Sequence, residues 1–152
     1  MRELKFRTPC KCQNGHHAFL FYCVRFGDVY NSKWEKDKEC KCPTFDYGEG
    51  FAQCASDEQW TGLKDRDGVD IYENDIVVLD GYPFFDDGKP NYVGVVEWMF
   101  TSWQYVLECV NPDNRGISSG INHSLDDDGE GGKHFRVIGN VHQNPDLLAV
   151  KR

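Results

Sequence analysis

Three groups of residues in this sequence carry side chains that could do chemistry. The first is thiol. Cys10 and Cys12 flank Lys11, Cys40 and Cys42 flank Lys41, Cys23 and Cys54 lie between and after them, and His16 and His17 are close by. Four thiolates hold a structural zinc ion tetrahedrally, and residues i and i+2 of an extended chain face the same way. Cys10, Cys12, Cys40 and Cys42 are therefore the candidate zinc ligands. The usual zinc signature, however, separates paired ligands by two residues, not one. The spacing favours small apolar thiols filling half-buried strand positions, with no cofactor required, and disulfide or redox pairing is the third reading.

The second group is a serine nucleophile pattern. "GISSG", Gly116 to Gly120, matches G-x-S-x-G around Ser118, with Asp126 and His134 downstream in suitable order. That chemistry needs the serine on a sharp strand-to-helix turn with backbone donors for the oxyanion. Here "NPDNR" precedes the serine and "INHSLDDDGEGG" follows it. With neither a strand before nor a helix after, the expectation is a surface loop, and the chain is not expected to be an enzyme. "DDDGEGG", Asp126 to Gly132, reads as a solvated loop tip.

The third group is carboxylate. Gln59 to Gly81 packs six acidic residues and three glycines into one run that ends in β-branched residues. A calcium EF-hand loop wants acids at its first, third and fifth positions, glycine at the sixth and glutamate at the twelfth. Counting from Asp65, the fifth position is Val69, the glycine falls at the fourth, and Ile76 stands at the twelfth. Turn chemistry accounts for the run better. In "KDRDG" an Asp side chain accepts from nearby backbone N–H groups and Gly68 takes left-handed geometry. In "END" Asn74 can occupy the left-handed region more cheaply than most residues. Gly62, between Trp60 and Leu63, suits a positive φ or a close backbone approach.

The elements that must position these groups are strands. "ELKFR" alternates and is expected to stop at "TPCKCQNG". "HAFLFYCVRFGDV" is a buried strand, and residues 31–57 read as irregular or as short strands. "VDIY" and "DIVVLD" follow as strands. Val93 to Phe100 and Trp103 to Val110 form a hairpin around Thr101-Ser102, and "HFRVIGNV" is a closing strand. Asn144 is placed as an N-cap and Pro145 as the first residue of one short helical turn. Several short strands with Gly/Pro turns and no long helix point to a small barrel or roll. Tyr82, Phe84 and Phe85, between strands, and Trp103, which opens one, are the candidate binding aromatics, while Trp98 is read as core.

Composition narrows the function classes. With 152 residues, 39% of them hydrophobic and 14% aromatic, the chain is long enough for a real core and is not a disordered segment. No run of 18 apolar residues occurs, which argues against a membrane-spanning helix. The opening "MRELKFRTPCKC" has no apolar core or cleavage site, so a cytoplasmic location is expected. Seven cysteines, an odd number, cannot all pair within one chain. Residues 1–64 hold ten Lys/Arg against nine Asp/Glu, for +1; residues 65–152 hold seven against sixteen, for −9. So acidic a half repels phosphate backbones, and its charge argues against a nucleic-acid partner. A nucleic-acid-binding module would have to use the N-terminal basic residues and exposed aromatics.

"MRELKFR" at the start, "QWTGLKDRDGVDIYENDIV" in the middle, "GVVEW" at 94–98 and "VIGNVHQNPDLL" at 137–148 together resemble the YopX family of phage and prophage proteins. The usual form of that family has an "MREIKFR"-like strand, then "YTGLKDKNGKEIYEGDIV", then "VIGNIYENPELL". This chain departs by carrying Asn74 where the family has Gly, and the likeness is poor between Thr8 and Ala55. The resemblance implies a mainly β fold: an SH3-like β-barrel over residues 58–150, N-terminal strands and a Cys-containing segment over 1–57, and little helix. It assigns structural positions, Gly62, Leu63, Gly68, Ile71, Tyr72, Asp75 and Gly139, and no catalytic ones. It further implies an accessory protein acting in an infected or lysogenic bacterium, through self-association or contact with a phage or host protein. The third reading, a hydrolase at Ser118, has only the short motif behind it.

Overall fold

The computed structural model describes residues 4–25, 28–36, 38–40, 51–53, 55–79, 92–98, 105–109, 122–125 and 132–148. These residues are mainly β, with almost no helix, in two antiparallel sheets. The chain divides into two units, Met1–Trp60 and Thr61–Arg152.

The first unit is built on three nine-residue strands, β1 (Leu4–Cys12), β2 (His17–Arg25) and β3 (Asp28–Lys36). β2 pairs with both neighbours, antiparallel, and short β4 (Phe51–Gln53) pairs with the far side of β1 at Cys10 to Cys12. The start of β5 (Glu58–Lys64) pairs with β1 at Phe6 and Arg7. Strand β1 does not stop at "TPCKCQNG". It runs through Pro9, because Thr8 and Pro9 lie between the stretches of β1 that pair with β5 and with β4. A residue without an N–H is tolerated where one ladder is interrupted. β3 likewise goes beyond the expectation of irregular chain or short strands over residues 31–57, being nine residues long and starting before them. Its alternation is hidden by a bulge. Phe21 opposes Lys33 while Cys23 opposes Tyr30, so β3 carries one extra residue, and Asn31 absorbs it at φ +53°.

In the second unit β5 continues and pairs with β6 (Asp70–Tyr72). A second sheet follows in the order β10-β9-β8-β7-β11, formed by β7 (Asp75–Leu79), β8 (Tyr92–Trp98), β9 (Tyr105–Cys109), β10 (Asn122–Ser124) and β11 (Phe135–Asn140). The expected hairpin is present, with Trp98 opposite Tyr105. Strand order in this sheet is open at β10 and β11, and no closed barrel is seen among the described residues. Ile71, Val77, Val96, Leu125 and Phe135 form the buried cluster of this unit, with Leu63, Trp98 and Val137 packed against them. Burying each such side chain contributes about 1.5–3 kcal/mol, which makes this cluster the main source of cohesion in the unit. Pro145–Leu147 make one 3-10 turn.

Candidate functional site

The acidic run Gln59 to Gly81 folds into two corners. At the first, between β5 and β6, the Asp65 carboxylate is buried and accepts three backbone N–H groups. Oδ1 takes those of Asp67 and Val69, each at 2.9 Å, and Oδ2 takes that of Val137 at 2.9 Å. Gly68 closes the turn at φ +83°. Arg66 N donates to Phe135 O at 3.0 Å, so the turn is tied to β11 from both directions. Lys64 spans the outside, its Nζ bonded to Gly68 O at 3.2 Å and paired with Asp70. Gly132 packs against this corner: a Cβ there would meet Lys64 O at 2.5 Å.

At the second corner, between β6 and β7, buried Asp75 accepts the N–H of Tyr72 at 2.8 Å. Asn74 sits at φ +61°, its N–H donating to Val96 O at 2.8 Å and its carbonyl accepting from Val141 N at 3.0 Å. Each corner thus joins β6 to strands far away in sequence. Of the other positions assigned by resemblance, Ile71 and Tyr72 are buried, Leu63 packs on the core, and Gly62 has φ +90°. Gly139 is needed for space, because a Cβ would overlap the Asn144 side chain. Asn144 stands at the N-cap position of the 3-10 turn with Pro145 first in it, as expected, and its carbonyl accepts from Leu147 N at 3.0 Å, but its side chain makes no capping bond. Its Oδ1 instead accepts from Asn140 N at 3.3 Å, and Asn140 in turn accepts from His142 N and Gln143 N. Bonding back to β11 leaves no side-chain oxygen aimed along the turn.

In the first unit, Cys10, Cys12 and Cys40 are buried thiols. Cys10 Sγ donates to Thr8 O at 3.5 Å, and Cys40 Sγ lies 4.0 Å from Cys12 Sγ. Cys42 lies outside the described residues. Among the described residues no group of three or more His, Cys, Asp or Glu side chains is placed to hold a metal ion. Sequence reasoning missed what lies on the same strand. Arg7 Nε bonds Glu58 Oε2 at 2.6 Å with both side chains buried, and the Arg7 guanidinium lies 4.7 Å from the Phe19 ring centroid. The two charges are 51 residues apart, so no local pattern announces them. Ser118, Tyr82, Phe84, Phe85 and Trp103 also lie outside the described residues, as does Asp126. His134 is exposed.

The YopX protein family model matches residues 24–149. The chain belongs to the YopX family. The matched stretch takes in the two corners, "GVVEW" and the C-terminal motif. It starts after "MRELKFR", and it covers much of the segment between Thr8 and Ala55 where the YopX likeness is hard to see by eye. No curated protein matches the sequence. Among solved structures, protein EF1440 from Enterococcus faecalis is similar at 17% identity and a TM-score of 0.44, over 96% of this chain and 98% of that one. Among the described residues no helix is long and apolar enough to cross a membrane.

Proposed function

We propose that this YopX-family chain is a non-enzymatic accessory protein of a phage or prophage, acting in the bacterial cytoplasm by self-association. The observation that carries this reading is strand β3. Among the described residues it ends its sheet, seven of its nine residues are exposed, and Val29 is 51% exposed. A terminal strand of this length is a template for pairing with another chain. The bulge at Asn31 interrupts the ladder near the middle of the strand, which limits the registers a second copy can take. The second unit serves as the scaffold, read as an SH3-like roll, and its acidity directs any further partner toward basic proteins.

Native mass spectrometry tests this. The wild-type chain is expected as a dimer of 17.5 kDa subunits. Val29→Lys, which sets a charge on the exposed edge strand, should shift it to monomer. A wild-type monomer at all concentrations, or a Val29→Lys chain that stays dimeric, would overturn the reading.

A further inference from the structure

Strand β1 ends in a thiol, Cys12, that lies against the thiol of Cys40, and nothing in the family motif explains the pair. Cys12 and Cys40 are each 4% exposed with their sulfur atoms 4.0 Å apart, in a unit whose other buried side chains include Cys10, Ala18 and Phe19. Sulfurs at that distance need only small side-chain rotations to bond, since a disulfide requires about 2.05 Å. Position makes the pair accessible to reagents despite its burial. Cys12 is the last residue of β1 and borders the tight turn where Cys12 N–H donates to His16 O and Gly15 N–H to Cys12 O. Strand ends beside turns open locally far more readily than strand centres.

We propose that Cys12 and Cys40 form a reversible dithiol–disulfide couple that responds to low-molecular-weight disulfides. The Cys12 thiolate attacks one sulfur of the reagent disulfide and releases one reagent thiol. The Cys40 thiolate then attacks the sulfur of Cys12 in that mixed disulfide and releases the second. Two protein thiols lose two protons and two electrons, and one reagent disulfide becomes two thiols. The new bond closes a loop holding all of β2 and β3, and fastens residue 40 to the end of β1. Closing so long a loop constrains the unfolded chain, so the oxidised form is the more stable one. β3 lies inside that loop, so oxidation also restricts the strand to which self-association is assigned. The couple itself does not depend on that reading.

The test is to incubate the purified full chain with oxidised glutathione, then follow intact mass, non-reducing peptide mapping and thermal unfolding. The expected result is a mass loss of about 2 Da, a peptide linking Cys12 to Cys40, and a rise in Tm of roughly 5–10 °C that dithiothreitol reverses. Cys23→Ser should keep all three changes, while Cys12→Ser and Cys40→Ser should each abolish them. The wild-type peptide map decides the matter even if a variant fails to fold. Linkage of either cysteine to a different partner, stable glutathione adducts in place of the linked peptide, or a bound zinc ion that blocks oxidation would overturn the proposal.

Discussion

The two units of this chain solve the same problem with different chemistry. Both must hold antiparallel strands from distant parts of the sequence in register. The second unit does it with corners: Asp65 gathers three backbone N–H groups, Asp75 one, and Asn74 and Gly68 supply the positive φ that the turns require. Its core is aliphatic and aromatic. The first unit has long strands and buries an ion pair, Arg7–Glu58, together with thiols, and it stacks half-buried Phe6 on Tyr22 with ring centroids 5.6 Å apart. Turn chemistry leaves a local signature of Asp, Asn and Gly at fixed offsets. A buried ion pair leaves none.

The comparison predicts where each unit is most fragile. The largest effect is expected at the ion pair. Glu58→Ala strands the Arg7 guanidinium in a buried site and should cost about 3–5 kcal/mol, read from the urea midpoint. Replacing both partners with apolar residues of similar size should recover most of that loss. A single variant as stable as wild type would mean the pair is not buried in solution. Next comes the second core: Ile71→Ala should cost about 2–5 kcal/mol by cavity formation. Hydrogen exchange should locate this loss in β6, β7 and β11. Exchange confined to the first unit would erase the distinction between the two.

Smaller effects sharpen the picture of the corners. Gly68→Ala places a side chain at φ +83° where no atom lies within 4 Å of the added Cβ, so it should cost about 1 kcal/mol from backbone strain alone. A much larger loss would show a steric role the geometry does not contain. Lys64→Ala removes an exposed ion pair and should change stability by at most about 1 kcal/mol.

How much of this was legible follows from the same contrast. The turns at Gly68 and Asn74, the strands 70–72 and 75–79, the 92–98/105–109 hairpin and the strand at 135–140 can all be read locally, because each strand is a short β-branched or apolar run bounded by turn residues. The length of β1 and the existence of β3 could not be. Pro9 looks like a terminator until one sees that β1 changes partners around it, and the bulge at Asn31 breaks the alternation that would have marked β3. At the site, Asp65 was recognisable as a turn residue. Its third bond, to Val137, spans 72 positions and belongs to the tertiary structure alone. The proximity of Cys12 to Cys40 is of the same kind.

The central claim is that the acidic family motif is a frame whose carboxylates hold backbone. Residue-resolved hydrogen exchange of Asp65→Ala against wild type, with and without added calcium, tests it most directly. The account predicts that protection falls at Asp67, Val69 and Val137 together, although the last is far away in sequence, and that calcium changes neither protein. Unaltered protection at Val137, or a wild-type pattern that tightens around residues 65–75 when calcium is added, would contradict it.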